Sequence, residues 1–194
     1  MKTNRLEAFS DGVLAIIITI MVLELKVPEE VTIEALLPTI PIFISYLISF
    51  IYIGIYWNNH HHLFQITEKI NGKILWANLH LLFWLSLIPF TTSWMGENHA
   101  TSAPAALYGF ILFMSGIAYY ILQNLIIKHH DEDFVLRKVI GKNAKGKISI
   151  VVYAVGIMLA YVSPWVAIAC YIAVAIMWIV PEKHIENHVK EKEH

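Results

Sequence analysis

Long apolar stretches separated by short polar connections dominate the pattern along this chain. Four of them approach the ~20 residues that cross the hydrocarbon core of a bilayer as a helix, and they cover residues 6–25, 38–57, 74–94 and 105–127. A fifth, longer apolar region contains Ser163-Pro164, and proline disfavours the helical conformation of the residue before it. We therefore predict two shorter helices there, at 148–162 and 165–180. The whole pattern predicts an all-α integral membrane protein in which one domain, residues 1–194, holds six transmembrane helices.

The composition supports a membrane protein and excludes several other classes. Hydrophobic residues make up 57% of the chain and charged residues 15%, whereas soluble domains have about 45–50% and about 25%. A soluble domain of 194 residues could not bury so much apolar surface. The formal net charge of −1 argues against a basic nucleic-acid-binding domain. Cys170 is the lone cysteine, which excludes an intrachain disulfide.

The basic residues predict the orientation in the membrane. With six spans, 13 of the 14 Lys and Arg residues fall on the side of the N-terminus, and only Lys26 falls on the other side. The positive-inside rule places the basic side in the cytoplasm. We therefore expect a multi-pass protein of the cell membrane with both termini in the cytoplasm.

The first predicted span is unusually polar at its N-terminal end. An ionisable side chain inside a span is costly and usually faces protein or water, so Asp11 is a candidate functional residue. At 1.5 Å per residue, Ser10 and Asp11 lie at the same depth as three polar residues of the second and third spans. These residues are Asn58, Asn78 and His80. The cluster is either a structural polar lock between helices or an element of gating or permeation.

A stripe of three residues follows on the same span. Ile16, Thr19 and Leu23 are spaced i, i+3, i+7, which places them on one face of a helix. A threonine between two bulky apolar residues is ordinary core packing in most helices. If the helix instead faces a symmetry axis, the stripe forms concentric rings. Rings of isoleucine and leucine gate by dewetting, and a threonine ring offers oxygens to a cation.

Three sequence motifs, one in each of the first three predicted spans, are similar to those of one known protein family. The segment Arg5-Leu-Glu-Ala-Phe9-Ser10-Asp11 fits the pattern R-x-x-x-F-S-D at the start of the first span. The end of the second span, Trp57-Asn-Asn-His60-His61, is also similar to the family, as is the third span from Trp76 to Thr92. Together with the predicted topology, these motifs resemble the transmembrane protein 175 (TMEM175) family of potassium channels in its prokaryotic single-repeat form, and the resemblance covers essentially the whole chain.

The resemblance implies a homotetramer in the cell inner membrane, with the first helix of each subunit lining a central pore. It implies a potassium-preferring cation channel that is gated at Ile16 and Leu23, with Thr19 contributing to selectivity. It also implies an inter-helix network behind the pore, formed by the motif residues Arg5, Phe9, Ser10 and Asp11, which favours the structural lock. The chain contains no Thr-Val-Gly-Tyr-Gly filter, so selectivity cannot come from a cage of carbonyl groups.

Two other classes of function are alternatives to a channel: a membrane-bound metalloenzyme and a secondary transporter. The chain has ten histidines, and His184 and His188 have the i, i+4 spacing of a metal pair. The histidines form no repeated H-x-x-H-H blocks, so we expect no enzyme, no metal site and no cofactor beyond the permeant K⁺. Adventitious divalent binding at His60, His61 and His62 is expected. The alternative is a proton-coupled secondary transporter that uses Asp11 or His80, although such transporters commonly contain paired halves.

Overall fold

The computed structural model describes residues 3–130 and 144–179. In these two ranges the chain is helical and contains no β-strand. A 3₁₀ helix, Glu34–Thr39, precedes the second α-helix. The α-helices are α1 Thr3–Leu23, α2 Ile40–Gln65, α3 Gly72–Ser86, α4 Ile88–Glu97, α5 Ser102–His129, α6 Ala144–Leu159 and α7 Pro164–Ile179. The predicted all-α class is confirmed.

Several helical segments have the length and composition of membrane spans. Four are long and apolar enough to cross: Thr3–Leu23, Glu34–Gln65, Gly72–Glu97 and Ser102–His129. Helices α6 and α7 have 16 residues each and are therefore only about 24 Å long at 1.5 Å per residue. The tip that joins them exposes Tyr161, Val162 and Trp165. The chain is thus a membrane protein, while the number of six spans stays a prediction.

Two predicted spans have different bounds in the structure. The third is not one helix, because α3 ends at Ser86 and α4 begins at Ile88. Pro89 lies in the first turn of α4, where the missing N–H is not needed, but it cannot donate the hydrogen bond that would continue α3. The second span extends beyond Trp57, since α2 continues to Gln65.

A cluster of tyrosines fills the core between α2, α5, α6 and α7. Tyr52 and Tyr171 are fully buried, and the hydroxyl of Tyr52 donates to the backbone carbonyl of Tyr171. The Tyr171 ring lies between two glycines of neighbouring helices. A Cβ on Gly156 would lie 2.6 Å from Cε1 of Tyr171, and a Cβ on Gly109 would be closer still to the hydroxyl oxygen. The two glycines therefore make room for the ring where α5, α6 and α7 meet.

Helix α1 packs against α2, α3 and α4. Its buried residues are spaced three or four apart: Leu6, Ser10, Leu14, Ile17 and Met21. This spacing keeps them on one face of the helix. The opposite face, which includes Phe9 and Ile16, is exposed. Helix α1 therefore has one face within the bundle and one face outside it.

Candidate functional site

The exposed face of α1 carries the predicted stripe. Ile16 is 58% exposed and Leu23 is 78% exposed, and Thr19 between them is exposed as well. The Thr19 hydroxyl donates to the carbonyl oxygen of Ile16 at 2.8 Å. Because its proton is used within the helix, its oxygen lone pairs remain available as acceptors on the exposed face. This face therefore offers a polar oxygen between two apolar positions.

A buried hydrogen-bond network stands behind this face and joins three helices. Asn78 of α3 donates from Nδ2 to Oγ of Ser10 at 2.9 Å, and Ser10 donates to the carbonyl oxygen of Leu6 at 2.9 Å. His60 of α2 donates from Nε2 to Oδ1 of Asn78 at 2.7 Å. Ser10, Asn78 and His60 are buried, and Nδ1 of His60 has no hydrogen-bond partner. One amide thus connects α1 with α2 through α3.

A second set of contacts joins α1 and α2 nearer the surface. Trp57 donates from Nε1 to Oδ1 of Asp11 at 3.0 Å. Nδ1 of His61 lies 2.7 Å from Oε1 of Glu7. The rings of Trp57 and His61 stack with centroids 5.9 Å apart and planes 14° apart. We call these four residues, Glu7, Asp11, Trp57 and His61, the α1–α2 clasp.

Depth alone identified only part of the buried network. The network contains Asn78, but neither Asn58 nor His80 forms a hydrogen bond with Ser10 or Asp11 in the described part of the chain. Asn58 precedes His60 by two residues, and His80 follows Asn78 by two. Two residues of an α-helix span about 200°, so these side chains point to the far sides of α2 and α3. Nε2 of His80 instead accepts a hydrogen bond from Trp84 at 2.9 Å.

The sequence reasoning missed four residues that hold α1. No contact was predicted for any of them, and His60 and His61 were noted only in a motif of the family and as expected divalent ligands. The i, i+4 spacing of Trp57 and His61 matches the i, i+4 spacing of Glu7 and Asp11. Two such pairs on facing helices form two successive contacts, and that match was the available signal.

Two residues of the R-x-x-x-F-S-D pattern lie outside both sets of contacts. Arg5 is exposed and forms no side-chain hydrogen bond within residues 3–130 and 144–179. Phe9 is exposed on the same side of α1 as Ile16. Within one subunit, the network is therefore carried by Ser10 and the clasp by Asp11, and Arg5 and Phe9 point outward.

The other end of α1 is held by contacts with α4. Ser93 donates to Oε2 of Glu24 at 3.1 Å. Lys26 and Glu97 form an exposed ion pair, with Nζ 2.9 Å from Oε1. The hydrogen bond to Glu97 and the charge of its carboxylate raise the pKa of Lys26. Polar contacts with the bundle thus occur near both ends of α1, and the exposed stripe lies between them.

The described residues contain no group of three or more His, Cys, Asp or Glu side chains placed to hold a metal ion. His60 and His61 point to different partners, Asn78 and Glu7. Divalent binding at His60, His61 and His62 stays a prediction. The spaced pair His184 and His188 lies outside the described residues.

Comparisons with known proteins agree with this arrangement. Residues 5–89 match the family model described as endosomal/lysosomal potassium channel TMEM175. A potassium channel of Chryseobacterium sp. (strain P1-3) is 56% identical over 191 residues, covering 98% of this chain and 100% of the relative. A potassium channel of Chamaesiphon minutus is 30% identical over 198 residues, covering 90% of this chain and 92% of the relative. The crystal structure of a lysosomal potassium-selective channel TMEM175 homolog from Chamaesiphon minutus has a TM-score of 0.79 and 29% identity, covering 93% of this chain and 97% of that one.

The fold and the site define the class of this protein. It is an all-helical membrane bundle in which polar contacts connect the first helix to the others. The relatives extend over nearly the whole chain and name the class more closely. This chain belongs to the TMEM175 family, and the resemblance in the sequence is confirmed.

Proposed function

We propose that this chain is the subunit of a potassium-preferring cation channel in the cell inner membrane. Four subunits surround a central pore, and each contributes the exposed face of α1. The named relatives are potassium channels, which are not enzymes. Both termini lie in the cytoplasm, as the distribution of basic residues predicts.

The exposure of the stripe is the observation that carries this proposal. Ile16, Thr19 and Leu23 are exposed, and they lie on the face of α1 opposite to its buried residues. An apolar face that leaves its own subunit meets lipid or other subunits. Lipid chains offer no partner to a hydroxyl oxygen in the middle of that face, whereas a cation can bind it. A pore axis along this face accounts for both the apolar residues and the threonine.

The energetics of ion hydration assign the roles along the pore. A potassium ion passing a ring of Ile16 side chains must either keep its water, which needs width, or lose it at a large cost. A narrow ring therefore holds the pore closed, and Leu23 forms a second constriction. The Thr19 oxygens contact a partly dehydrated ion and contribute to selectivity, because no carbonyl filter is present.

The buried network is the structural lock behind the pore. Hydrogen bonds from Ser10 through Asn78 to His60 hold α1 against α3 and α2. They point away from the exposed face, which supports a role in positioning α1 rather than in binding ions. Asp11 and His80, the residues of the alternative proton-coupled transporter, each accept a hydrogen bond from a tryptophan, which supports a structural role for both side chains.

Single-channel recording tests the proposal. Purified protein in planar bilayers under a potassium/sodium gradient should give unitary, potassium-preferring currents, and Ile16→Asn should increase them. Ile176→Asn is the matched control, because Ile176 on α7 is similarly exposed, at 61%, but lies outside the proposed pore. The absence of current in both wild type and Ile16→Asn, with insertion verified, would contradict the proposal that the protein is a channel. Equal gains in Ile16→Asn and Ile176→Asn would contradict the gate.

A further inference from the structure

A groove lies where the start of α3 meets the end of α5. Its lining residues are Asn71, Gly72, Lys73, Trp76 and Leu125. None of them belongs to α1, so the groove lies outside the proposed pore-lining face. We propose that this groove binds one anionic phospholipid, whose phosphate lies between Lys73 and Lys128 and whose acyl chain runs along α3. The proposal concerns lipid binding alone and does not depend on the proposed channel function.

Asn71 joins the two walls of the groove. It is the N-cap of α3, with an extended backbone conformation, and its Oδ1 accepts a hydrogen bond from the N–H of Ile74 at 3.0 Å. Asparagine is among the preferred N-cap residues because it can accept this bond. Its Nδ2 donates to Nδ1 of His129, at the end of α5, at 3.1 Å. The start of α3 and the end of α5 are therefore held at the same level.

Each wall of the groove carries a lysine one helical turn from an apolar residue. Lys73 and Trp76 are three residues apart on α3. Leu125 and Lys128 have the same spacing on α5, and residues with this spacing share a face of a helix. Because α3 starts where α5 ends, both apolar residues lie deeper than their lysines, by about 4.5 Å. With 28 residues, α5 is long enough to reach the headgroup layer, and the lysines lie at that level.

The charge at this end of the groove is positive. Lys73 and Lys128 are exposed, and neither forms an ion pair within the described part of the chain. The turn before α3 adds Glu68 and Lys69, whose charges are opposite. The two groove lysines therefore attract an anion, and basic pockets between helices at the membrane surface bind anionic headgroups.

An apolar strip continues from the lysines into the membrane. Trp76 is 75% exposed, and Leu79 and Phe83 are exposed at i+3 and i+7 on the same face of α3. The indole N–H of Trp76 forms no hydrogen bond with the described residues, so it can donate to a phosphate or ester oxygen. The groove has a volume of about 720 Å³, within the range of small-molecule sites. An anionic phospholipid matches both the charged end and the apolar strip.

The first experiment measures occupancy of the groove by quenching with brominated lipid. Bromine atoms quench indole fluorescence on contact. The chain has six tryptophans, so the signal of Trp76 is taken as the difference between wild type and Trp76→Phe in phosphatidylcholine nanodiscs. A minor fraction of brominated phosphatidylglycerol should quench Trp76 more than the same fraction of brominated phosphatidylcholine. Lys73→Gln and Lys128→Gln should each lower this preference about fivefold, the contribution of one lysine near an anionic surface.

Two control variants test whether the groove lysines act through their charge and position. Lys73→Arg keeps the charge and should keep the preference. Lys147→Gln removes an exposed lysine of α6, outside the groove, and should keep the preference too. Equal quenching by the two brominated lipids would mean that the groove is an ordinary lipid-facing surface. No quenching by either would mean that protein, such as a second copy of the chain, covers it. Either result, or a preference that survives in both glutamine variants, would overturn the proposal.

The second experiment separates a lipid from a free anion by thermal stability in a neutral detergent. A ligand that binds the folded state alone raises the melting temperature. Phosphatidylglycerol should raise the apparent melting temperature of wild type and Lys147→Gln, and it should raise that of Lys73→Gln less. Glycerol phosphate at the same concentration lacks the acyl chains and should have no effect. Equal effects of the two compounds, or no effect of phosphatidylglycerol, would contradict a lipid site.

Discussion

Removal of the Asn78 amide should destabilise the assembled protein, because this side chain satisfies partners on two other helices. Asn78→Ala would leave Oγ of Ser10 without its donor and Nε2 of His60 without its acceptor, in a region where water cannot replace them. Interhelical hydrogen bonds in membrane proteins contribute about 0.6 kcal/mol on average and at most about 1.7 kcal/mol. Loss of two such bonds should therefore cost about 1–3 kcal/mol. For a chain of this size, that corresponds to a fall of roughly 2–12 °C in apparent melting temperature.

Thermal unfolding followed by size-exclusion chromatography in detergent measures the effect. Asn58→Ala is the matched control, because Asn58 lies at the same depth but outside the network, and we expect little change there. Asn78→Leu separates the hydrogen bonds from packing, since leucine fills the space but cannot pair. It should remain destabilised. A double-mutant cycle of Asn78→Ala with His60→Ala should show a coupling energy above about 0.5 kcal/mol.

The reasoning would be refuted by either of two results. Equal losses in Asn78→Ala and Asn58→Ala would mean that depth in the membrane, and not membership of the network, determines the cost. Full stability of Asn78→Leu would mean that the amide contributes volume alone. In that case the polar lock would be an ordinary packing contact.

Three further predictions follow from single contacts. Gly109→Ala should lower the apparent melting temperature, because the new Cβ would overlap the buried Tyr171 side chain and overpacking typically costs about 1–3 kcal/mol. Gly54→Ala is the control and should not lower it, because a Cβ there meets nothing within 4 Å. Thr19→Val keeps the side-chain volume but removes the oxygen, so the reversal potential under a potassium/sodium gradient should shift toward equal permeability; an unchanged potential would contradict a role in selectivity. Lys26→Met should leave the melting temperature unchanged, because its ion pair with Glu97 is exposed and such pairs contribute little; a clear loss would mean that this contact anchors α1.

The sequence pattern predicted the helical class, and the reason is the length of the apolar stretches. It also predicted that Ile16, Thr19 and Leu23 share a face, because that follows from helical spacing alone. Whether the face points into or out of the subunit is decided by the neighbouring helices. The periodicity of the buried residues from Leu6 to Met21, on the opposite face, could have indicated it.

The polar contacts of α1 were harder to predict because depth and direction are separate quantities. Depth can be counted along the sequence from the ends of the spans. Direction depends on how each helix is rotated about its axis, which one sequence does not reveal. Asn78 was therefore found together with two false partners, Asn58 and His80. The break between α3 and α4 at Leu87 could have been predicted, because Pro89 signals a helix start as clearly as Pro164 does.

The short hairpin of α6 and α7 has a consequence for the surrounding lipid. Within the described residues 144–179, each of its arms is about 24 Å long, some 6 Å less than a typical hydrocarbon core, whereas α5, with 28 residues, is about 42 Å long. The described helices of the subunit therefore differ in height. Beside the hairpin, either the lipid chains compress or the aromatic tip at Tyr161 and Trp165 remains below the headgroups. Each ångström of this mismatch costs a fraction of a kcal/mol, so bilayers of different thickness should accommodate this side of the protein unequally.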